Sequence, residues 1–208
     1  MLSMLLATTN RHKLEEFRAI FADLPFHLLS LNDLHLDLDV EETGTTFVEN
    51  ALLKALAYAQ AAEMLTLADD SGLEIDALGG APGVYSARFL RPDASYEERF
   101  RFILEQLQGL SMEQRTARFR CVITLAEPLG YCRSVTGVVE GAIADAPRGE
   151  HGFGYDPIFL LPELGKTMAE LTPEVKNRMS HRGRAARLAR TLLETWPLPS
   201  SSHQEHRK

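Results

Sequence analysis

The sequence predicts an α/β fold with a mixed β-sheet, and three patterns support that prediction. Apolar runs typical of buried strands alternate with helix-spaced apolar residues over the first third of the chain. Two long strand-like runs then follow each other directly, and helical spacing returns near the end. Alternating helices and strands favour parallel pairing, whereas a hairpin adds antiparallel strands. Long strands between two groups of helices further predict two lobes with a cleft between them.

The first two strands and the helix between them follow from local patterns. Leu2–Ala7 and Phe26–Leu31 are short apolar runs suited to strands. Between them, Asn10 suits the N-cap of a helix, because its side-chain oxygen can accept hydrogen bonds from free backbone N–H groups. The apolar residues of this helix recur at helical spacing: Leu14, Phe17, Ile20, Phe21 and Leu24.

A second helix and a third strand follow an acidic loop. Thr46 and Glu49 form a T-x-x-E capping box, which predicts an Ala-rich helix over 47–64. The run Leu65–Ala68 predicts a short buried strand that ends at a pair of aspartates. The glycine-rich stretch Ala77–Phe89 then predicts a loop with at most one helical turn.

The middle of the chain predicts a helix followed by a hairpin. Ser95 and Glu98 repeat the capping box and open a helix that extends to about Leu107. Thr116–Ala126 and Tyr131–Ile143 have the length and composition of two antiparallel strands, and a Pro-Leu-Gly turn joins them.

The last part of the chain predicts one more strand, two helices and a tail. Residues 151–162 combine a glycine-rich loop with a strand, and Thr172 and Ser180 each begin a helix. The remaining residues are polar and include two prolines. We therefore expect residues 1–196 to form one domain with two lobes, and residues 197–208 to be a disordered tail.

Composition and charge argue against several classes of protein. Hydrophobic residues make up 45% of the chain and charged residues 25%, which is ordinary for a globular protein. The net charge of −7 argues against a broad nucleic-acid-binding surface, and no run approaches the ~20 apolar residues of a membrane span. Cys121 and Cys132 match no zinc or redox spacing, so we expect reduced thiols in a cytoplasmic protein.

Four polar clusters interrupt the apolar pattern, and the first lies between the first strand and the first helix. It has the sequence TTNRHK and comprises Thr8, Thr9, Asn10, Arg11, His12 and Lys13. Free N–H groups at a helix start form an anion site, to which the Asn10 amide and the Lys13 charge would add. An Asn cap followed by solvated charges is the alternative interpretation.

The second and third clusters are acidic. Glu41 and Glu42 lie in a loop before a helix, which is usually a solvated turn unless another carboxylate lies close. Asp69 and Asp70 follow a buried strand, and they cannot both face the core because successive strand residues point to opposite faces. An Asp cap or Asx-turn into the following Ser-Gly explains one aspartate. A magnesium site in the crevice at the sheet edge explains both.

The fourth cluster is split between two segments. The segment GFGYD, residues 152–156, offers aromatic side chains that can stack on a planar base. The segment KNRMSHRG, residues 176–183, gathers Lys176, His181 and Arg182 at a helix start, where their donors can bind carbonyl oxygens. Each segment also has a plainer interpretation, since lone aromatic residues are commonly core and a basic run is commonly a solvated helix face.

Together these clusters resemble the Ham1/RdgB family of inosine/xanthosine triphosphate pyrophosphatases. Five segments match the family in order and span residues 7–183: ATTNRHKLEE, EETGTTFVENALLKA, ADDSGLEIDALGGAPGVYSARF, GFGYDPIF and AELTPEVKNRMSHRG. The resemblance implies an elongated α/β structure with two lobes around a long mixed sheet. It also implies hydrolysis of ITP, dITP and XTP to monophosphate and pyrophosphate, a magnesium cofactor and a homodimer.

The resemblance further implies roles for individual residues. Glu41 and Asp70 correspond to the metal-binding acids, Asp70 also corresponds to the catalytic proton acceptor, and Ser71 would contact substrate. The T-x-N-x-x-K motif would hold the triphosphate, and we expect the whole run from Thr8 to Lys13 to bind substrate. The nucleoside pocket would comprise Phe153, Gly154, Tyr155, Asp156, Lys176, His181 and Arg182. The role of Asp69 stays open.

Two other functions remain open at this stage. A Maf-like pyrophosphatase acting on other nucleotides shares the architecture, although the SHRG and GFGYD segments argue against it. A nucleotide-binding module without catalysis would be expected if an acid were missing, and here Glu41, Asp69 and Asp70 are all present.

Overall fold

The computed structural model describes residues 2–196, which form a seven-stranded sheet with helices packed against it. The strands are β1 (Leu2–Leu6), β2 (Phe26–Ser30), β3 (Thr66–Ile75), β4 (Thr116–Ala126), β5 (Cys132–Ile143), β6 (Phe159–Leu161) and β7 (Lys166–Thr167). The helices are α1 (Arg11–Ile20), α2 (Phe47–Ala62), α3 (Tyr96–Gln106), α4 (Pro173–Met179) and α5 (His181–Glu194). Short 3-10 segments lie at Asp76–Leu78, Gly83–Arg88, Met112–Gln114, Asp156–Ile158 and Met168–Glu170.

The sheet is mixed, as the sequence predicts. Its strand order is β2-β1-β3-β4-β5-β6-β7. β1 runs parallel to both β2 and β3, and every later neighbour is antiparallel. The long strands β3, β4 and β5 lie side by side, so that Asp70 is opposite Val122 and Val122 is opposite Thr136. The predicted α/β class with a long mixed sheet flanked by helices is confirmed.

The helix starts predicted from capping residues are also confirmed. The side chain of Asn10 accepts hydrogen bonds from the backbone N of His12 at 3.0 Å and of Lys13 at 3.2 Å. The capping boxes at the starts of α2 and α3 are both complete. These interactions join residues two or three positions apart, so local sequence is enough to predict them.

β3 differs from the prediction. A short strand that ends at the aspartates is wrong, because β3 continues through them to Ile75 and pairs with β4 along all ten of its residues. Gly72 is therefore a strand residue and the Asx-turn does not form. A β-carbon at Gly72 would lie 2.5 Å from the carbonyl oxygen of Gly83. Glycine is needed there because the segment 83–88 packs directly on the strand, and not because the chain turns.

The region predicted as a loop with at most one helical turn also differs, since it holds two 3-10 segments, Asp76–Leu78 and Gly83–Arg88. The second segment is fixed by the hydroxyl of Ser86. This hydroxyl donates to the carbonyl oxygen of Gly83 at 2.6 Å and accepts from the backbone N of Leu73 at 2.9 Å. Gly83 lies in the same segment and Leu73 lies on β3, so this hydroxyl ties the segment to the strand.

The core is divided between the two faces of the sheet and along its length. Leu67 packs with residues of α1 and α5, including Phe17, whereas its neighbour Ala68 packs with residues of α2, including Ala55. A third cluster lies further along β3 and includes Leu73, residues of α3 and residues of β6. The core is thus several separate clusters, and the division into two lobes stays a prediction.

Three predictions concern the C-terminal tail, the cysteines and membrane-spanning helices. The predicted tail, residues 197–208, lies outside the described residues, so the domain boundary stays a prediction. Cys121 and Cys132 are both free thiols. Within residues 2–196, no helix is both long enough and apolar enough to cross a membrane.

Candidate active site

A cleft of about 500 Å³ is lined by segments that lie far apart in the sequence. They come from the β1–α1 turn, the loop before α2, α2 itself, β3, the segment 83–88, the start of α3, β4, the loop before β6, α4 and the start of α5. The predicted site residues that line it are Thr8, Thr9, Asn10, Lys13, Glu41, Asp70, Ser71, Phe153, Gly154, Tyr155, Asp156, Lys176, His181 and Arg182. Folding thus brings residues from all four polar clusters to one cavity.

Arg11 and His12 are not among the residues that line the cleft, and their predicted contact with substrate stays a prediction. The side chain of Arg11 is 87% exposed, and its Nε lies 2.9 Å from an oxygen of Glu15. His12 stacks on Phe153, with ring centroids 5.2 Å apart and planes at 11°, and is not among the residues that line the cleft. Both belong to α1, and side chains of consecutive helical residues point in directions about 100° apart. One helix start therefore cannot direct all of them into the cleft.

Asp70 faces α2 and has the surroundings of a proton acceptor. It is 6% exposed, and its Oδ2 accepts a hydrogen bond from Asn50 Nδ2 at 3.0 Å. Its Oδ1 accepts from the backbone N of Ser71 at 2.9 Å. Burial raises the pKa of the Asp70 carboxyl; Lys54 offsets part of that rise and the Glu42 carboxylate adds to it. A carboxylate with a raised pKa takes a proton more readily, which suits general-base chemistry.

Asp69 faces the opposite side of β3, towards α1 and α5, and its pKa is moved in the opposite direction. Its Oδ2 lies 2.9 Å from Lys13 Nζ and 3.7 Å from Arg182 Nη2, and it accepts from Ser71 Oγ at 3.2 Å. Burial alone would raise the pKa of Asp69, but Lys13, Arg182 and Lys54 outweigh burial and hold the pKa well below its usual value. Asp69 is therefore an ionised anchor for two cations.

Phe153 lies against two of the predicted pocket cations. Lys176 Nζ is 4.6 Å and Arg182 Cζ is 5.4 Å from the centroid of its ring. Asp156 fixes the loop, since its Oδ2 accepts from Lys176 Nζ at 2.7 Å and from the backbone N of Phe153 at 2.8 Å. An aromatic face beside fixed donors suits a planar base that carries carbonyl oxygens.

Tyr155 and His181 are buried components of the same pocket. Tyr155 is 3% exposed and its hydroxyl donates to the carbonyl oxygen of Ser86 at 2.9 Å, so it shapes the pocket by packing. His181 stacks on Phe119 at 4.6 Å between centroids. Burial, together with the charges of nearby Arg182 and Lys176, lowers the pKa of His181 well below its usual value. Its imidazole is therefore neutral at pH 7.

Glu16 is a site residue that sequence reasoning missed. Its two carboxylate oxygens lie 2.7 Å from Lys176 Nζ and 2.6 Å from Arg182 Nη1. Burial would raise the pKa of Glu16, but these two cations lower it below its usual value, so Glu16 is ionised. The sequence could have indicated Glu16, because it lies three residues after Lys13 on α1 and residues three apart share a helix face.

Lys54 and Arg88 were also missed, and both contact Glu42. Lys54 Nζ lies 2.5 Å from Oε1 of Glu42, and Arg88 Nη1 lies 3.4 Å from Oε2. Burial would lower the pKa of Lys54, but Asp69, Glu42 and Asp70 raise it above its usual value. Lys54 interrupts the apolar run ALLKALA, and a lone cation in such a run was the signal that could have found it.

Known proteins resemble this chain over most of its length. Residues 4–192 match the model of the Ham1 family. The chain belongs to the Ham1 family. Its curated relatives include the dITP/XTP pyrophosphatase of Bacillus subtilis, which is 47% identical over 190 residues that cover 91% of this chain and 96% of the relative. A dITP/XTP pyrophosphatase of Thermus thermophilus is 50% identical over 195 residues, covering 94% of this chain and 92% of the relative.

Solved structures of the Ham1 family have the same fold. A HAM1 protein from Coxiella burnetii superposes with a TM-score of 0.86 at 44% identity, covering 94% of this chain and 100% of its own. The Staphylococcus aureus Ham1 protein gives a TM-score of 0.83 at 44% identity, covering 93% of this chain and 98% of its own. The family resemblance seen in the motifs is thereby confirmed.

Proposed function

We propose that the chain hydrolyses the deaminated purine nucleotides ITP, dITP and XTP to the monophosphate and pyrophosphate, and so removes them from the nucleotide pool. Membership of the Ham1 family and relatives named dITP/XTP pyrophosphatase support this activity. The observation that carries the proposal is a single cleft in which the buried carboxylate of Asp70 meets an aromatic and cationic pocket around Phe153.

We propose magnesium as the cofactor, held by Glu41 and Asp70, which line the same cleft. Within residues 2–196, no group of three or more His, Cys, Asp or Glu side chains is arranged to hold a metal. This donor set fits magnesium, which commonly takes one or two protein carboxylates and completes its shell with water and substrate phosphates. When bound, such an ion would neutralise negative charge on the phosphate oxygens.

In the proposed reaction a water oxygen attacks the α-phosphorus. The bond from that phosphorus to the bridging oxygen breaks, its electron pair leaves with pyrophosphate, and the water proton passes to the Asp70 carboxylate. Asn50 and the backbone N of Ser71 keep this carboxylate in one orientation. The triphosphate would be held by Thr8, Asn10 and Lys13, because the start of α1 offers N–H donors and positive charge to an anion.

Selection of the base would follow from the donors beside Phe153. Lys176 and Arg182 are buried cations that can bind O6 of hypoxanthine or xanthine. Adenine presents an amino group at that position and would leave a buried donor unpaired, which costs roughly 1–3 kcal/mol. Asp69 takes a positioning role in this proposal, because it holds Lys13 on one side and Arg182 on the other.

A panel of nucleotides tests the proposed function. Purified protein with magnesium is expected to release pyrophosphate from ITP, dITP and XTP with kcat/KM about tenfold or more above that for ATP, from the unpaired-donor cost. GTP is assayed alongside. Equal turnover of ATP and ITP would contradict the selectivity. Omission of magnesium with a chelator is expected to abolish release, and a pure binding module would release none under any condition.

Replacement of the proton acceptor tests the assigned mechanism. Asp70→Asn is expected to lower kcat for ITP by ~10²–10⁴, because the amide cannot take the proton. The far-ultraviolet circular dichroism should stay unchanged, since Asn can still accept from Asn50. Asp93→Asn, at a carboxylate 82% exposed, is the matched control and should keep full activity. Retention of wild-type turnover in Asp70→Asn would remove Asp70 from the catalytic role.

We also propose a homodimer in the cytoplasm. The dimer is a family expectation, and two free cysteines fit a reducing compartment. Light scattering is expected to give twice the chain mass of 23.2 kDa, and a monomer mass would contradict the dimer. Recovery of the protein in a secreted or membrane fraction of the cell would contradict the location.

A further inference from the structure

Arg88 is a cation of the cleft with weak protein contacts. It ends the 3-10 segment 83–88 and lines the cleft beside Glu42. Its Nη1 lies 3.4 Å from Oε2 of Glu42, and its Nη2 lies 3.4 Å from the carbonyl oxygen of the same residue. Both distances exceed the upper end, about 3.2 Å, of well-formed N–H···O bonds. The guanidinium also lies 5.1 Å from the ring centroid of Tyr85.

Two other cations that line the cleft near Glu42 and Asp70 are held more closely. Lys13 Nζ lies 2.9 Å from Asp69, and Lys54 Nζ lies 2.5 Å from Glu42. The exposed fractions of the side chains are 15% for Lys13, 14% for Lys54 and 35% for Arg88. Glu42 thus has a close partner in Lys54, so departure of Arg88 would not leave this carboxylate unpaired.

We propose that Arg88 moves from Glu42 to the pyrophosphate portion of the bound triphosphate and stabilises pyrophosphate as it departs. This inference rests on the proposed function. A polyphosphate carries more negative charge than one carboxylate, and a guanidinium offers paired donors that match phosphate oxygens. The contacts given up are long, whereas those gained strengthen as charge develops on the bridging oxygen when its bond to the α-phosphorus breaks.

Binding of the two products separates this role from a general effect on the cleft. Affinities for pyrophosphate and for inosine monophosphate are measured by calorimetry on the full chain at one magnesium concentration. Arg88→Ala is expected to raise the Kd for pyrophosphate about tenfold, from loss of a charge-assisted contact, and to leave the Kd for the monophosphate within about twofold. The Kd of Arg88→Lys for pyrophosphate should lie between those of the wild type and Arg88→Ala, because lysine keeps the charge and loses the paired donors.

Arg91→Ala is the matched control. It removes a nearby arginine that pairs with Glu98 and is not among the residues lining the cleft. Both affinities should match the wild type. Equal weakening of both products in Arg88→Ala, or no change in either, would overturn the proposal.

Measurements in a Glu42→Gln protein distinguish binding of phosphate by Arg88 from simple neutralisation of Glu42 by Arg88. If Arg88 binds pyrophosphate, Arg88→Ala weakens pyrophosphate binding in a Glu42→Gln protein as well. Loss of the effect in that background would overturn the proposal.

The proposed function is judged separately, by ITP hydrolysis in the wild type. Arg88-dependent pyrophosphate binding without ITP hydrolysis would overturn the proposed function and leave the Arg88 site standing, whereas ITP hydrolysis with unaltered pyrophosphate binding in Arg88→Ala would overturn the Arg88 site alone.

Discussion

Glu16 pairs with two buried cations, and this pairing holds together the elements that form the site. Its oxygens lie 2.7 Å from Lys176 and 2.6 Å from Arg182. Arg182 also pairs with Asp69 on β3, and Lys176 also pairs with Asp156 in the loop before β6. Removing one partner of a buried ion pair typically costs about 3–5 kcal/mol, because the other charge is left uncompensated. α1, α4, α5 and β3 must therefore keep their relative positions for every charge to stay paired.

The same network explains why two adjacent aspartates behave differently. The alternation of side chains along β3 directs Asp69 towards this network and Asp70 towards α2. Cations surround Asp69 and hold its pKa low, whereas burial raises the pKa of Asp70. Neighbouring acids with pKa values moved in opposite directions are suited to different tasks. One anchors cations and the other is available for proton transfer.

Local sequence was enough to predict the helix starts and the hairpin. Asn10, Thr46 and Ser95 each bond to residues two or three positions away, so their caps are visible in the sequence. The length of β3 was not predicted, because it is fixed by pairing with β4 some fifty positions later in the chain. The alternative turn at Gly72 does not form for a related reason: this position needs glycine because Gly83 packs against it, which is a tertiary contact.

The site was predictable to the extent that its residues fall in motifs. Asp70, Lys13 and Phe153 were named from the sequence and line one cleft. Glu16 and Lys54 were not, because a charged residue on a helix is usually solvated and only the fold reveals burial against opposite charges. Motifs identify the groups that would touch substrate, while the groups that hold them in place become visible only in three dimensions.

The claim that the buried ion pairs act as one coupled network is tested most directly by a double-mutant cycle. Asp69→Asn, Glu16→Gln and the double variant are compared with the wild type by urea unfolding. The two acids share Arg182 as a partner. If the charges act as one network, the loss in unfolding free energy of the double variant differs from the sum of the single losses by about 1 kcal/mol or more. Single losses that add to within about 0.3 kcal/mol would show that the two acids act independently, and would contradict the account.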